Sequence, residues 1–335
     1  MLAMLAPPLA AVLIATIVVA AVVALTGRDP VAVIAALVSG PLGDRYRFCE
    51  SLARACPLML CGLAVAVAFR CQAWNIGVEG QYLAGAMAVT AIGVGASGWP
   101  ASLLFPVMLA ASAAAGAAWA IPAVVLENRR HVPLVLSTIL LNFVALHLVR
   151  CLVSGPLQGP DPAAPESAAI DASVWVSTLV AGTDFHWGFL LALAAALGIW
   201  ILLRWATAGF ALRVVGLNPE AARWAGIHVA RVRTTVMALS GALGGLAGGL
   251  QIAGVHHLLR GDAAEGFGYV GIAVALLGGL HPGGVVIAAV FLGMLDVGAL
   301  HLERQALGVP SDLAQVIKGL LILALLAAAG VRWKR

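Results

Sequence analysis

Charged residues are scarce in this 335-residue sequence, where Asp, Glu, Lys and Arg together make up 10% of the chain. Fifteen acidic and nineteen basic residues are too few to cover the polar surface that a soluble protein of this length needs. The lysines are Lys318 and Lys334, and neither follows a glycine-rich loop of the GxxxxGKS/T type. The chain therefore has no P-loop for ATP, and because HExxH and GxSxG are also absent, the sequence indicates no enzyme.

Cysteine is also scarce, and its spacing excludes two further classes of site. The five cysteines are Cys49, Cys56, Cys61, Cys71 and Cys151. Their number is odd and no pair has a CxxC spacing, so we predict neither a disulfide framework nor a zinc site, and no metal or cofactor. The net charge is +4, but the basic residues are scattered between apolar runs, a pattern that does not indicate nucleic-acid binding.

Apolar sequence is what the chain has in excess. Hydrophobic residues make up 62% of the chain and the mean hydropathy is +1.02. Runs close to the twenty or so residues that cross a bilayer recur throughout, so we predict an all-α polytopic membrane protein with one permease-like domain over 1–335. About ten spans are expected, at 8–26, 55–71, 79–97, 101–126, 134–154, 188–204, 234–254, 268–281, 284–301 and 313–331. The first run lacks a basic leader and a cleavage site, so it is kept as a span.

The distribution of arginine predicts the orientation. With a cytoplasmic N-terminus, the arginine-rich connection 205–233 and the C-terminal tail both fall on the cytoplasmic side, and the long loop 155–187 falls outside. Arg45, Arg47 and Arg54 fall on the opposite side, against this bias. We expect residues 30–54 to form an interfacial helix whose arginines reach lipid headgroups.

Polar residues interrupt the apolar runs at a few places where a transport path could lie. FRCQAWNIGVEGQ, at 69–81, predicts a break in a helix, either at the cytoplasmic interface or inside the bundle. The candidate path residues are Asn75, Glu79, Gln81, Asn142 and Asp296. For Asn142 a hydrogen bond between helices is an equal alternative, and a carboxylate such as Asp296 must be protonated, paired or hydrated. GGLHPGG, at 278–284, is predicted to be a tight turn.

The seventh predicted span contains SGALGGLAGG at 240–249. Gly241, Gly245 and Gly249 repeat every four residues, so they share one helix face that has no side chains. We predict that this face packs closely against another helix, either from this chain or from a second subunit.

The stretch NPEAARWAG, at 218–226, lies in the connection predicted to be cytoplasmic. Asn218 suits the N-cap of a short helix, Pro219 its first position, Glu220 its first turn and Gly226 its C-terminal end. Such a helix presents small side chains and one tryptophan, a shape that fits the groove of another protein.

Four stretches together resemble one family of membrane proteins: VGLNPEAARWAGI at 215–227, NIGVEGQ at 75–81, STILLNF at 137–143 and GFGYVGIAVALLGG at 266–279. They are similar to ABC-importer permeases of the branched-chain amino acid and ribose group, in its nucleoside and simple-sugar branch. The resemblance implies a fold related to the vitamin B12 importer's permease, in the bacterial inner membrane. It also implies separate ATPase subunits, a second homologous permease and an external substrate-binding protein.

The same resemblance implies which residues contact the ATPase. They are Gly216, Asn218, Pro219, Glu220, Ala221, Ala222 and Gly226. A proton-coupled secondary transporter is the alternative, with Glu79, His147 and Asp296 as a proton relay. That alternative needs no ATPase and leaves NPEAARWAG without a role.

Overall fold

The structure is a computed structural model that describes residues 17, 20, 21, 23–25, 27–95, 99–161, 163–304 and 311–330. Within these ranges every regular element is a helix, and the only strand-like pairings are isolated bridges. The first predicted span, 8–26, lies mostly outside the described residues, as does the basic C-terminal tail. The structure thus confirms the all-α prediction for the part of the chain that it describes.

Six of the described helices are long and apolar enough to cross a membrane. They are α2 (Arg45–Arg70), α4 (Ala101–Arg130), α5 (Leu134–Val153), α6 (Gly188–Trp205), α9 (Val229–Gln251) and α11 (Pro282–Arg304). A π-helical turn, Ile252–His256, extends α9. The other α-helices are α1 (Pro30–Leu42), α3 (Val78–Gly95), α7 (Thr207–Leu217), α8 (Pro219–Trp224), α10 (Phe267–Leu277) and α12 (Ser311–Gly330), and Ala172–Val174 form a short 3-10 helix. These helices make the chain a multi-pass membrane protein, while the number of ten spans stays a prediction.

The chain divides into two compact units. One unit contains residues 1–55 and 290–335, and the other contains residues 56–289. The second unit holds the helix break at 71–77 and the whole of the connection 205–233. Asp296 belongs to the first unit.

The expectation of an interfacial helix over residues 30–54 is wrong for its second half. α1 ends at Leu42, and α2 runs unbroken from Arg45 into the predicted span. Local bonds support this early start: the backbone N–H of Arg47 donates to Asp44 over 2.8 Å, and Ser51 donates its hydroxyl to the Arg47 carbonyl over 2.9 Å. Sequence hydropathy places the start of the span too late, because it discounts a helical turn that contains arginine.

The glycine-rich face of α9 packs against α4 of the same chain. A Cβ on Gly245 would overlap the carbonyl oxygen of Ser112, and a Cβ on Gly241 would overlap that of Gly116. Gly249 lies against the Ser112 side chain. The two backbones approach so closely that only glycine fits at these positions, because any side chain would force the helices apart.

Candidate functional site

The break between α2 and α3 is a short non-helical segment, residues 71–77. Gln72 takes a left-handed conformation, with φ of 54°, which ends α2. The side chain of Asn75 then accepts a hydrogen bond from the backbone N–H of Gly77 over 2.9 Å, and α3 begins one residue later. Asn in this position forms a local turn that competes with helix, so the sequence itself encodes the interruption.

Asn75 is fully buried, and it joins the break to two other helices. Its amide nitrogen donates to Gln81 over 3.1 Å and to Ser240 over 2.9 Å, and Ser240 in turn donates to the Ala64 carbonyl over 2.7 Å. Ser240 is eleven residues into α9, or about 16 Å along its axis. The break therefore lies inside the bundle, level with the middle of α9.

Asn142, on α5, supplies hydrogen bonds that the broken backbone lacks. Its side-chain oxygen accepts from the backbone N–H of Gly80 over 2.8 Å, and its amide donates to the Ile76 carbonyl over 2.9 Å. The same amide lies 3.2 Å from the hydroxyl of Tyr269, a residue of α10 that is 45% exposed. Buried backbone groups must be paired, so Asn142 substitutes for the helical bonds that the break removes.

Glu79, in the first turn of α3, is 2% exposed and holds the start of α10. Its two carboxylate oxygens accept from the backbone N–H groups of Gly266 over 3.0 Å and Gly268 over 2.7 Å. These are free N–H groups at a helix N-terminus, where the helix dipole favours a negative charge. We did not assign a role to Gly266 or Gly268 from the sequence, although GFG before an apolar run is a signal for a helix start with close backbone approach.

His147 and Asp296 are the remaining polar candidates. His147 is exposed on α5, and no hydrogen bond joins it to Glu79 among the described residues. Asp296, on α11, pairs with Lys318 of α12, with 2.9 Å between its carboxylate and the ammonium group. Of the three states open to Asp296, the structure shows the paired one.

The described residues contain no group of three or more His, Cys, Asp or Glu that could hold a metal ion. Cys49, Cys56, Cys61 and Cys71 are buried free thiols, and Cys151 is an exposed one.

The predicted coupling loop, 205–233, contains two complete helices and the start of α9. The first is α7, which the sequence analysis did not predict, and the second is α8, which it did. Asn218 caps α8, because its side-chain oxygen accepts from the backbone N–H groups of Glu220 over 2.9 Å and Ala221 over 3.1 Å. At the other end Gly226 has φ of 78°, and the N–H of the next residue donates to the Ala222 carbonyl over 2.9 Å. Both ends are thus fixed by local sequence.

α8 presents most of its surface to the exterior. Ala222 is fully buried, whereas the Trp224 side chain is 92% exposed. Glu220 and Ala221 are also exposed. A large exposed aromatic beside small residues is typical of a site that binds another protein. The one tryptophan that the sequence predicts this helix to present, Trp224, is thus on its exposed surface.

α7 connects this exposed helix to the break. Gly216, near the end of α7, lies directly against the backbone of Arg70 and Cys71, and a Cβ there would overlap the Arg70 carbonyl oxygen. The Arg70 guanidinium donates to the Leu280 carbonyl over 2.7 Å, in the turn before α11. A displacement of α7 would therefore press on the last turn of α2, where the break begins.

Comparison with known proteins gives one family and several relatives. Residues 48–326 match the family described as branched-chain amino acid transport system, permease component. A guanosine ABC transporter permease protein of Bacillus subtilis is 36% identical, over 97% of this chain and 94% of the relative. A glucose ABC transporter permease protein of Haloferax volcanii is 38% identical, over 90% and 81%. A second guanosine ABC transporter permease protein of Bacillus subtilis is 27% identical, over 84% and 90%.

Proposed function

The chain belongs to the permease-component family of branched-chain amino acid transport systems, and from this membership we propose how it works. It is the membrane permease subunit of an ABC importer, and it passes a nucleoside or a simple sugar into the cell. It is a transport component and not an enzyme, so separate ATPase subunits hydrolyse the ATP. Relatives named for guanosine and for glucose support this substrate range.

The exposed, doubly capped α8 is the observation that carries the mechanism. ATP binding closes the ATPase subunits, and α8 moves with them because it lies in their cleft. Gly216, Asn218, Pro219, Glu220, Ala221, Ala222 and Gly226 form this coupling site. The contact of Gly216 with the Arg70 backbone passes the motion to the break, where the spans rock between outward and inward states.

The solute path runs beside the break. Asn75, Glu79, Gln81 and Asn142 shape the path from within the bundle, and Tyr269 is where their hydrogen-bonded network reaches the surface. Asp296 contributes through its ion pair with Lys318. The packing of Gly241, Gly245 and Gly249 on α4 keeps this framework rigid.

The assembly contains further subunits. A second, homologous permease completes a heterodimer, and the presence of two guanosine permease relatives in Bacillus subtilis supports this arrangement. A substrate-binding lipoprotein or periplasmic protein delivers the solute to the outer face. The fold is of the vitamin B12 importer type, in the inner membrane of a bacterium, with both termini and residues 205–233 in the cytoplasm and residues 155–187 outside.

Two substitutions, one in α8 and one just after it, test the coupling site. Glu220→Ala removes the exposed carboxylate, and Gly226→Ala puts a side chain at a left-handed position. Both should abolish ATP-dependent guanosine uptake and the stimulation of ATP hydrolysis, while guanosine binding by the external protein stays unchanged. His228→Ala is the matched control, because that side chain is exposed in the same loop and makes no cap bond. Normal uptake in both the Glu220→Ala and the Gly226→Ala variants would overturn the assignment.

Uptake by vesicles reconstituted with this chain separates the importer from the proton-coupled alternative. An importer requires ATP, the ATPase subunits and the second permease. Uptake by this chain alone, driven by a proton gradient, would instead support the relay of Glu79, His147 and Asp296.

A further inference from the structure

A small cavity of about 180 Å³ lies beside the π-helical turn that extends α9. Tyr82 of α3 is part of its lining, together with His256 of the π-helical turn. Arg260, Asp262 and Glu265 line it from the connection to α10. None of these five residues belongs to the predicted coupling site or to the predicted path.

The surrounding backbone holds this cavity in shape. π-helical turns are rare and occur often at functional sites, and here the turn carries His256, whose ring contacts the Glu265 carboxylate. Glu79 fixes the far end of the connection, because it binds the N–H groups of Gly266 and Gly268. The connection that lines the cavity is therefore fixed to α9 at one end and, through Glu79, to the start of α3 at the other.

The ionisable side chains that line the cavity already contact one another. Arg260 bonds Asp262 over 3.2 Å, and His256 bonds Glu265. A zwitterionic amino acid would need a free cation and a free anion, and a phosphorylated solute would face two carboxylates. Each carboxylate keeps further lone pairs that accept hydroxyl hydrogens, and Arg260 keeps further N–H donors. This lining suits a neutral solute with several hydroxyl groups.

The volume of the cavity and the apolar part of its lining further restrict the solute that it can bind. A cavity of 180 Å³ is smaller than the roughly 300 Å³ at which pockets for drug-sized ligands begin, so it holds one ring and not a whole nucleoside. Tyr82, which is buried, together with Ala86 and Ile252 provides an apolar surface for the C–H face of that ring.

We propose that this cavity binds a polyhydroxylated sugar ring, which nucleosides and simple sugars both carry, before the solute reaches the break. The inference rests on the proposed function, and it explains how one type of permease serves both solutes: the permease recognises the sugar ring and the external protein selects the rest.

Protection of a thiol inside the cavity tests this. Ala263 lines the cavity, and Ala263→Cys is placed in a Cys151→Ser background because Cys151 is the exposed native thiol among the described residues. The complete importer in vesicles is treated with a membrane-impermeant thiol reagent, with guanosine, ribose or leucine present at equal concentration. Guanosine and ribose should each slow modification several-fold, and leucine should not. Equal rates with all three probes and with none would overturn the proposal.

Two further variants exclude indirect effects. Ala181→Cys, in the exposed part of loop 155–187, should react at one rate whatever solute is present. Glu265→Ala added to Ala263→Cys should remove the protection by ribose and leave the unfolding temperature unchanged. The same substitution added to Ala181→Cys should leave the reactivity at position 181 unchanged. Protection equal to that of the parent would contradict the role of Glu265.

The cavity proposal and the proposed importer function can each fail without the other being tested by the same result. If guanosine uptake depends on ATP and the partner subunits but the thiol is not protected, the cavity proposal fails and the importer stands. If uptake does not depend on them, the proposed function itself fails.

Discussion

The break at 71–77 and the proposed coupling helix α8 are both polar interruptions of an apolar chain, yet they are stabilised in opposite ways. α8 is capped at both ends by its own neighbours, Asn218 and Gly226, and is mostly exposed. The break is buried, and its polar groups bond to α5 and α9, while Glu79, just after it, bonds to α10. One region is thus locally encoded and free to bind a partner, while the other depends on the packed bundle.

From this difference we expect substitutions in the two regions to affect different properties, stability in one and activity in the other. A change in the buried region or in the helix seam beside it should lower stability, because it leaves polar groups unpaired or separates packed backbones. A change on the exposed face of α8 should lower activity at unchanged stability, because it removes a contact with a partner. Four substitutions test this contrast, and their expected costs in stability fall from Gly245→Ala to Trp224→Ala.

Gly245→Ala should have the largest effect. The added methyl group would overlap the Ser112 carbonyl oxygen, so α9 and α4 must separate, at a cost of about 3 kcal/mol. Thermal unfolding of the purified protein measures this. Gly198→Ala is the matched control, because a Cβ there meets nothing within 4 Å, and it should change stability by no more than about 1 kcal/mol. Equal unfolding temperatures for the two variants would contradict the close seam.

Glu79→Ala should be the next most destabilising. It leaves the N–H groups of Gly266 and Gly268 without an acceptor in a buried place, at a cost of about 2 kcal/mol. Glu79→Gln keeps one carbonyl oxygen and should lose less. A chemical-denaturation series on both variants gives the order, and a Glu79→Ala protein as stable as the parent would show that this carboxylate does not hold α10.

Asn218→Ala should cost about 1 kcal/mol, confined to α8. The N–H groups of Glu220 and Ala221 lose their acceptor, so the helix frays while the bundle stays folded. Hydrogen exchange of residues 219–224 should therefore speed up with little change in the global unfolding temperature. Asn218→Asp retains a capping oxygen and should exchange like the parent; equally fast exchange in both variants would contradict the capping role.

Trp224→Ala should leave stability within about 0.5 kcal/mol, because the side chain is 92% exposed. ATP-dependent guanosine uptake should nevertheless fall at least tenfold, since the aromatic anchor in the ATPase groove is lost. Uptake and unfolding temperature measured on one preparation give both numbers. If uptake and the unfolding temperature fell together, Trp224 would stabilise the fold and would not bind the partner.

Local sequence was enough to predict some features and not others. The capped helix at Asn218 follows from residues that are adjacent in the chain, and so does the interruption at Asn75. The partners of Glu79 did not follow, because Gly268 is 189 residues away. α7 was missed because its apolar residues were assigned to a loop between two spans.

Hydropathy also misplaced a boundary, since the arginines at 45–54 belong to α2 and not to a separate surface helix. The ion pair of Asp296 with Lys318 could not be predicted, because the two residues lie on different helices of one unit. Features fixed within one turn of chain are thus predictable. Of the contacts between helices, the glycine face on α9 was predictable, but the partner of each contact was not.

Cross-linking from position 224 tests the central claim most directly. A photoreactive phenylalanine analogue replaces Trp224 in the assembled importer, and the same analogue replaces the exposed Ala181 in a control. The account predicts covalent capture of the ATPase subunit from position 224 and none from position 181. Absence of ATPase capture from position 224, in vesicles that still import guanosine with ATP, would contradict it.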